Sequence, residues 1–493
     1  MLICSEIKIF MVKITIYNPF QLCYNLFETK RIIVLQMDFT VNFEKKASDR
    51  LITEELQRCI DDCGAHGGGN IVFRKGEYVL STVFLKSNVN IVLEEGAVIL
   101  GAPNFDDYCF HEKIDYPLYQ DESHSYFHCS MFVGLNATNI SITGKGVIDM
   151  RSVWDEDGVR GSAIRHRGAK CIALKECKNV SVRNLTIKNC TDLAIYFAGC
   201  ENVEIGNVKM RTYIDGISPD NSKNVYIYGC DVESGDDSIV FKSSYTLNRL
   251  DYCKNIKVEN CRIKSRCSAL KFGTETNGGF ENVEINDVEI KDTRLCGIAI
   301  ESVDGAKIKN VLIKNVSMRN VATPLFIYLG DRMRAPEGLP IGEIEDITIE
   351  NVTATGPYVP YNIIPMNYLT YVAKSEIQYP WMGIMSYKPE DIENNKDKCW
   401  QTTSNVMGLK NHPIKNLTLK NILFQVAGGC KNYKTEVPHF TKDYPEVNMH
   451  GEVLPAKGIF FRNVDGLVLD NVKIETVKDD AREDFVFENV KRR

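Results

Sequence analysis

Three aspartates stand out by their positions. Asp215 and Asp237 each lie thirteen residues after an asparagine, Asn202 and Asn224, that opens the same short phrase, and Asp192 keeps that distance from Asn179. Asp236 comes just before Asp237 in the run Gly235-Asp236-Asp237-Ser238. If the phrases stack, equal register puts these side chains in one column with backbones about 4.8 Å apart. Unpaired carboxylates at that spacing repel, so at least one keeps its proton to a higher pH than a free carboxyl does. A protonated carboxyl beside an ionised one suits hydrolysis of a glycosidic bond, where one protonates the leaving oxygen and another activates water. A solvated acid ladder or a cation site fits the same spacing, and at this level the readings stand together.

Cations and further acids follow in the same stretch. Lys242 comes soon after the pair, Lys271 lies in the next repeat with Glu275 close by, and Arg332 sits in Leu329-Gly330-Asp331-Arg332. Each can hold sugar hydroxyls, hold a carboxylate, or simply balance the aspartates.

What must position these residues is a repeat. The phrase x-N-V-x-I-x-N-V-x-I appears at Asn179-Val180, Asn202-Val203, Asn224-Val225, Asn255-Ile256 and Asn282-Val283, with weaker copies beginning at Lys307-Ile308, Asp346-Ile347, Asn416-Leu417 and Gly466-Leu467. Each copy alternates apolar and polar residues, the pattern of a half-buried strand. Recurrence every few tens of residues is the mark of a solenoid. The pattern predicts an all-β fold, a right-handed single-stranded parallel β-helix, with the asparagines forming a ladder that satisfies backbone groups at the turn. An antiparallel sandwich needs hairpin turns at short, regular intervals, and these do not recur. Upstream, Ser48 to Cys63 reads as an amphipathic capping helix with Ile52, Leu56, Cys59, Ile60 and Cys63 on one face, ended by Gly64 and Gly67-Gly68-Gly69. The last coils are expected around Leu467 to Ile474 and Phe485 to Val490.

The 493 residues carry a net charge of only −6, without the basic stripe of a nucleic-acid binder. No stretch reaches the roughly 20 apolar residues of a membrane span, and no signal peptide is recognisable. A cytoplasmic location is expected, with secretion by another route as the alternative. The 17 cysteines are an odd number, and Cys177, Cys200 and Cys253 each sit two places before a phrase asparagine. Stacked buried thiols account for that better than a disulfide framework and suit a reducing compartment. The N-x-S/T triplets at Asn179 and Asn416 belong to the repeat. Residues 1–36 precede the regular pattern and are expected to be a non-native or disordered extension, with Met37 as the natural start. Residues 37–493 then form one domain, broken at about 356–411 by an insertion rich in tyrosine and tryptophan. Those rings could stack on sugars or pack a small core of their own.

The central motifs carry a resemblance. Ile214-Asp215-Gly216-Ile217 and Gly235-Asp236-Asp237 resemble the N-T-D-G and G-D-D-C motifs of glycoside hydrolase family 28, the polygalacturonase and rhamnogalacturonase family. The helix, the triple-glycine turn and the run from Lys86 to Pro103 are similar to that superfamily's N-terminal cap, and the likeness extends from about Thr40 to the C-terminus. It implies inverting hydrolysis of a pectin-related carbohydrate, with Asp236 as general acid and with Asp215 and Asp237 holding and deprotonating the water. No cofactor and no metal are implied. The family's G-H-G motif falls on Arg266-Cys267-Ser268, so Cys267 stands for its histidine. Its R-I-K motif falls on Ala299-Ile300-Glu301, so both cations are missing and Glu301 replaces one of them. In polygalacturonases those cations are implicated in binding the galacturonate carboxylate, so poor turnover of plain polygalacturonate is expected. Lys242, Cys267, Lys271, Glu275, Glu301 and Arg332 are the candidates for holding substrate. The runs ALKFGTETNGGFENV and PLFIYLGDR resemble a divergent bacterial branch. A polysaccharide lyase is the rival enzyme, though no paired arginine is evident. A non-catalytic carbohydrate-binding solenoid is the rival without catalysis. The sequence is silent on oligomeric state.

Overall fold

Strands stack because their branched residues share a register. In the central coils Val180, Val203, Val225, Ile256, Val283 and Val311 pair in succession through parallel ladders, and all six point into the buried interior. The computed structural model describes residues 39–43, 50–154, 167–356, 402–433, 435–451 and 453–493. Among these residues the strand pairings are parallel, and the architecture is a right-handed parallel β-helix. One coil is Lys170–Lys175, Lys178–Arg183 and Thr186–Cys190. The next is Ile195–Ala198, Glu201–Gly206 and Lys209–Thr212, followed by Ile217–Asp220, Lys223–Tyr228 and Asp231–Ser234. Each strand lies over its counterpart, so the coil has three faces.

The asparagine ladder exists, in a different form from that expected. Asn139, Asn179, Asn202, Asn224, Asn255, Asn282 and Asn310 all have φ between 55° and 59°. In this left-handed region asparagine is favoured over most side chains. The side-chain amide of each donates to the amide oxygen of the one before, at 2.8–3.2 Å. The rungs are therefore amide to amide rather than amide to backbone. They also correct one weak copy: Asn310-Val311, not Lys307-Ile308, is the phrase in register with Asn282-Val283. The described cysteines are free thiols. Cys177 and Cys200 stack, with the Cys177 N–H donating to the Cys200 sulfur at 3.3 Å.

The capping helix runs Thr53–Ala65 and buries Leu56, Cys59, Ile60 and Cys63 against the first coils. It begins later than predicted because Leu51 is already bridged to Val79 in extended conformation, leaving Ile52 as the cap. At the other end, Ala456–Lys478 and Glu483–Arg492 are the last paired strands. The solenoid resumes at Ser404–Met407, which pairs with Phe326–Tyr328, so the break in the repeat closes before residue 411. The insertion's aromatic residues between 357 and 401, and the expected extension 1–36, lie outside the described residues. No helix among the described residues is long and apolar enough to cross a membrane.

The face built from Ile195–Ala198, Ile217–Asp220, Ile239–Ser243 and Ser268–Thr276 is covered from outside by two long connections, residues 102–129 and 429–455. Phe127 stacks on Tyr196 on one side, and Val447 and Leu454 pack with Phe326 and Tyr328 on the other. Between these two apolar patches lie the polar residues singled out by the sequence.

Candidate active site

Asp215 and Asp237 sit in equivalent turns, each leading into a strand of the covered face. Ile217 pairs with Ile239 and Thr212 with Ser234, so by the same offset Asp215 lies directly over Asp237. The stack is locked by a hydrogen bond from the Asp237 backbone N–H to Asp215 Oδ1 at 3.2 Å. The next rung is the Ser268 N–H, which donates to Asp237 Oδ1 at 3.1 Å. Asp236 lies one residue out of this column and is half-buried. Its carboxylate accepts no hydrogen bond from any described residue, whereas its carbonyl oxygen is held by the hydroxyls of Ser234 and Ser265. Carboxylate oxygens of Asp236 and Asp237 and the Cys267 sulfur all lie within 4.8 Å of one another.

The aspartates are not unpaired, contrary to the premise of the column argument. Lys242 Nζ lies 3.8 Å from Asp215 Oδ2 and 3.0 Å from Glu275 Oε2. Lys271 Nζ lies 3.3 Å from Asp237 Oδ2, 3.5 Å from Glu446 Oε1 and 3.9 Å from Glu301 Oε1. Both lysines are buried, and both stay charged, because the surrounding carboxylates more than offset the desolvation that burial imposes. The acids divide. Burial raises Asp236, and the Asp237 charge adds to it. Burial also raises Asp215, with Asp236 and Asp237 reinforcing this against the pull of Lys242. Burial lifts Glu301 well above the usual carboxylate range and Glu446 to about 7, each only partly countered by Lys271. Glu275 moves the other way, since Lys242 and its neighbours outweigh the burial. The group as a whole therefore retains protons near neutral pH.

Asp192 falls out of the column. A register shift between Lys188 and Cys190 moves it by one residue, so that Leu193 rather than Asp192 lies under Asp215. Its carboxylate is committed to Lys170 at 3.1 Å, Ser123 at 3.0 Å and the Leu193 N–H at 2.9 Å. Burial would raise it, but Lys170 and Arg167 win and hold it below the usual range. Arg332 is a strut. Its guanidinium is forked onto Asp304, donates to the Thr274 carbonyl at 3.0 Å and lies 5.3 Å from the centre of the Tyr444 ring. Cys267 is buried, and desolvation keeps it a neutral thiol.

Several contributors were invisible in the sequence. Glu446 and Tyr444 come from an aperiodic connection and reach Lys271 and Thr274. His124 comes from the other connection. Its Nδ1 lies 3.9 Å from Glu275 Oε2, neither ring nitrogen has a hydrogen-bond partner among the described residues, and desolvation lowers it to about 4, so it is neutral. Asp121, His124 and Glu275 are close enough to share a cation, as are Asp236, Asp237 and Cys267. In each group, however, an ammonium or guanidinium already faces the acids: Lys242 on Glu275, Arg334 on Asp121 at 3.2 Å, and Lys271 on Asp237.

Comparison with known proteins bears on the family and the fold. The sequence profile of glycosyl hydrolases family 28 matches residues 101–363. A Vitis vinifera protein named "Probable polygalacturonase" is 24% identical over 236 residues, covering 46% of this chain and 48% of its own. An exo-poly-alpha-D-galacturonosidase of Dickeya chrysanthemi is 24% identical over 306 residues, covering 52% and 50%. The chain thus spans about half the length of these curated relatives. Among solved structures, a hyperthermoactive exopolygalacturonase from Thermotoga maritima superposes with a TM-score of 0.63 at 18% identity, covering 89% of this chain and 92% of that one. At that identity the likeness speaks for the fold.

Proposed function

The chain belongs to glycosyl hydrolases family 28, and on that premise we propose that it hydrolyses O-glycosyl bonds of a pectin-related glycan, with inversion, through Asp215, Asp236 and Asp237. The observation that carries this reading is the unequal treatment of the three carboxylates. Asp215 and Asp237 each accept a backbone N–H and face a lysine, which fixes the position of their oxygens. Asp236 has neither, is raised by burial, and keeps solvent access. Burial raises Asp215 as well, but only Asp236 combines a raised carboxyl with solvent access and no hydrogen bond from the described residues, so Asp236 is the carboxyl placed to pass a proton to the leaving oxygen as the glycosidic bond breaks. Asp215 and Asp237, locked in one column by the Asp237 N–H, hold a water and take its proton as its oxygen attacks the anomeric carbon.

One distance favours a second stereochemistry. Asp236 and Asp237 oxygens approach within 4.8 Å, nearer to the roughly 5–5.5 Å carboxyl spacing of retaining enzymes than to the roughly 6.5–9.5 Å of inverting ones. Against a nucleophilic Asp237 stands the engagement of both its oxygens by the Ser268 N–H and Lys271. A lyase needs a base to take the proton beside a uronate, and the two buried lysines are held protonated by their carboxylate neighbours. A panel of pectic oligosaccharides, with reducing-end release as readout, tests the proposal. Saturated sugars from at least one member are expected. Unsaturated products, or none across the panel, would overturn it.

A further inference from the structure

The three cations that act most strongly on Asp215 and Asp236 are Lys242, Lys271 and Arg167, and each is engaged by an acid. Lys242 serves Glu275 and Asp215. Arg167 serves Asp192 at 3.7 Å and donates to Ser123 at 2.8 Å. Lys271 stands at the centre of three carboxylates, Asp237, Glu301 and Glu446. The backbone explains why Lys271 gains so many acids. It shares an outward column with Val240 and Ala299, so the neighbouring coils on either side supply small or apolar groups. The facing connection then lays Glu446 over it.

Two further details point to recognition rather than to charge balance alone. One carboxylate would neutralise one ammonium, yet three surround Lys271, and Glu301 Oε2 is buried with no hydrogen-bond partner among the described residues. Glu446 is also close enough to the catalytic pair to feel both Asp236 and Asp237 electrostatically. A sugar held against that pair meets an excess of acid, with Glu446 at its edge.

Resting on the hydrolase reading above, we propose that the reacting sugar is a neutral one, and that Glu446 is the specificity-determining residue that binds its hydroxyl and excludes a carboxylate. The chemistry is direct. A carboxyl beside Lys271 offers a hydroxyl either a donor or an acceptor. A uronate at the same place would be an added anion among buried acids, competing with Asp237, Glu301 and Glu446 for Lys271.

The test uses matched pairs of pectic oligosaccharides, each a free uronate and its methyl ester or the corresponding neutral sugar, assayed by kcat/KM on the full chain. The wild type is expected to favour the neutral member at least tenfold. Glu446→Gln should bring the ratio to within about threefold of parity, because Lys271 then has charge to spare for the uronate. Glu446→Asp should keep most of the preference, which a merely structural carboxylate would not require. Equal or better turnover of the free uronate by the wild type would overturn the inference while leaving the hydrolase reading intact, and this arm needs no variant to fold. A ratio unchanged in folded Glu446→Gln would also overturn it. No product from any pair would sink the hydrolase reading together with the inference.

Discussion

Asp236→Asn separates chemistry from stability more cleanly than any other single change. The carboxylate of Asp236 accepts no hydrogen bond from the described residues and forms no ion pair among them, so an isosteric amide should change stability by no more than about 0.5 kcal/mol. The catalytic cost should be far larger. General acid assistance contributes about 10²–10⁴-fold, or roughly 2.7–5.5 kcal/mol of barrier at 1.36 kcal/mol per decade. Asp237→Asn behaves differently, because its oxygens are bound at 3.1 Å by the Ser268 N–H and at 3.3 Å by Lys271. An amide must turn its NH₂ toward one of these donors, at about 1–3 kcal/mol. The assay is kcat/KM on a confirmed substrate, with thermal midpoints measured alongside. Asp236→Asn should lose activity at an unchanged midpoint, whereas Asp237→Asn should lose both. A substrate whose leaving group needs no proton, such as an activated phenolate, should partly rescue Asp236→Asn and leave Asp215→Asn inactive. Near wild-type turnover by Asp236→Asn would refute its role as the acid and turn attention to a structural or cation-binding column.

Lys271→Met removes the ammonium from among Asp237, Glu301 and Glu446 and should cost about 3–5 kcal/mol near pH 8. Burial already raises Glu301 and Glu446, so their stabilising contribution is full below the unfolded carboxyl pKa and is lost as pH rises through about 7 for Glu446. The denaturant-midpoint deficit of the variant must therefore be larger at pH 8 than at pH 5, and an equal deficit would contradict the reasoning. Asn224→Ala breaks two ladder rungs and leaves a methyl side chain at φ 55°, so a loss of about 1–3 kcal/mol is expected, read from the same midpoints. Because ammonium and guanidinium groups already face the acid clusters, treatment with EDTA should leave turnover within about twofold. Loss of activity that calcium restores would identify a cation site.

The solenoid was legible because it is periodic. Valine and isoleucine at fixed register, together with asparagine where the backbone turns left-handed, announce each coil, and the coils bring Asp215 and Asp237 into one column. Counting from the asparagines failed at Asp192 because a one-residue shift after Lys188 leaves no trace in composition. The capping helix was visible from its apolar stripe, but its start was not, since a bridge to Val79 decides where the extended chain ends. Glu446, Tyr444 and His124 were beyond reach for a different reason. They lie on aperiodic connections whose path over the outer face is set by distant packing, such as Val447 and Leu454 against Phe326 and Tyr328. The surroundings of Lys271 were therefore left open between holding substrate and balancing the aspartates, and the structure places three carboxylates around it.

In the proposed reaction, water activated by Asp215 and Asp237 displaces a leaving group protonated by Asp236. Hydrolysis of the best panel substrate in ¹⁸O-labelled water, followed by proton NMR before mutarotation, tests this directly. A saturated product carrying ¹⁸O at its anomeric carbon is expected, with the first-formed anomer inverted relative to the substrate. An unlabelled, unsaturated product would contradict hydrolysis altogether, and a labelled product of retained configuration would make Asp237 a nucleophile instead of a holder of water.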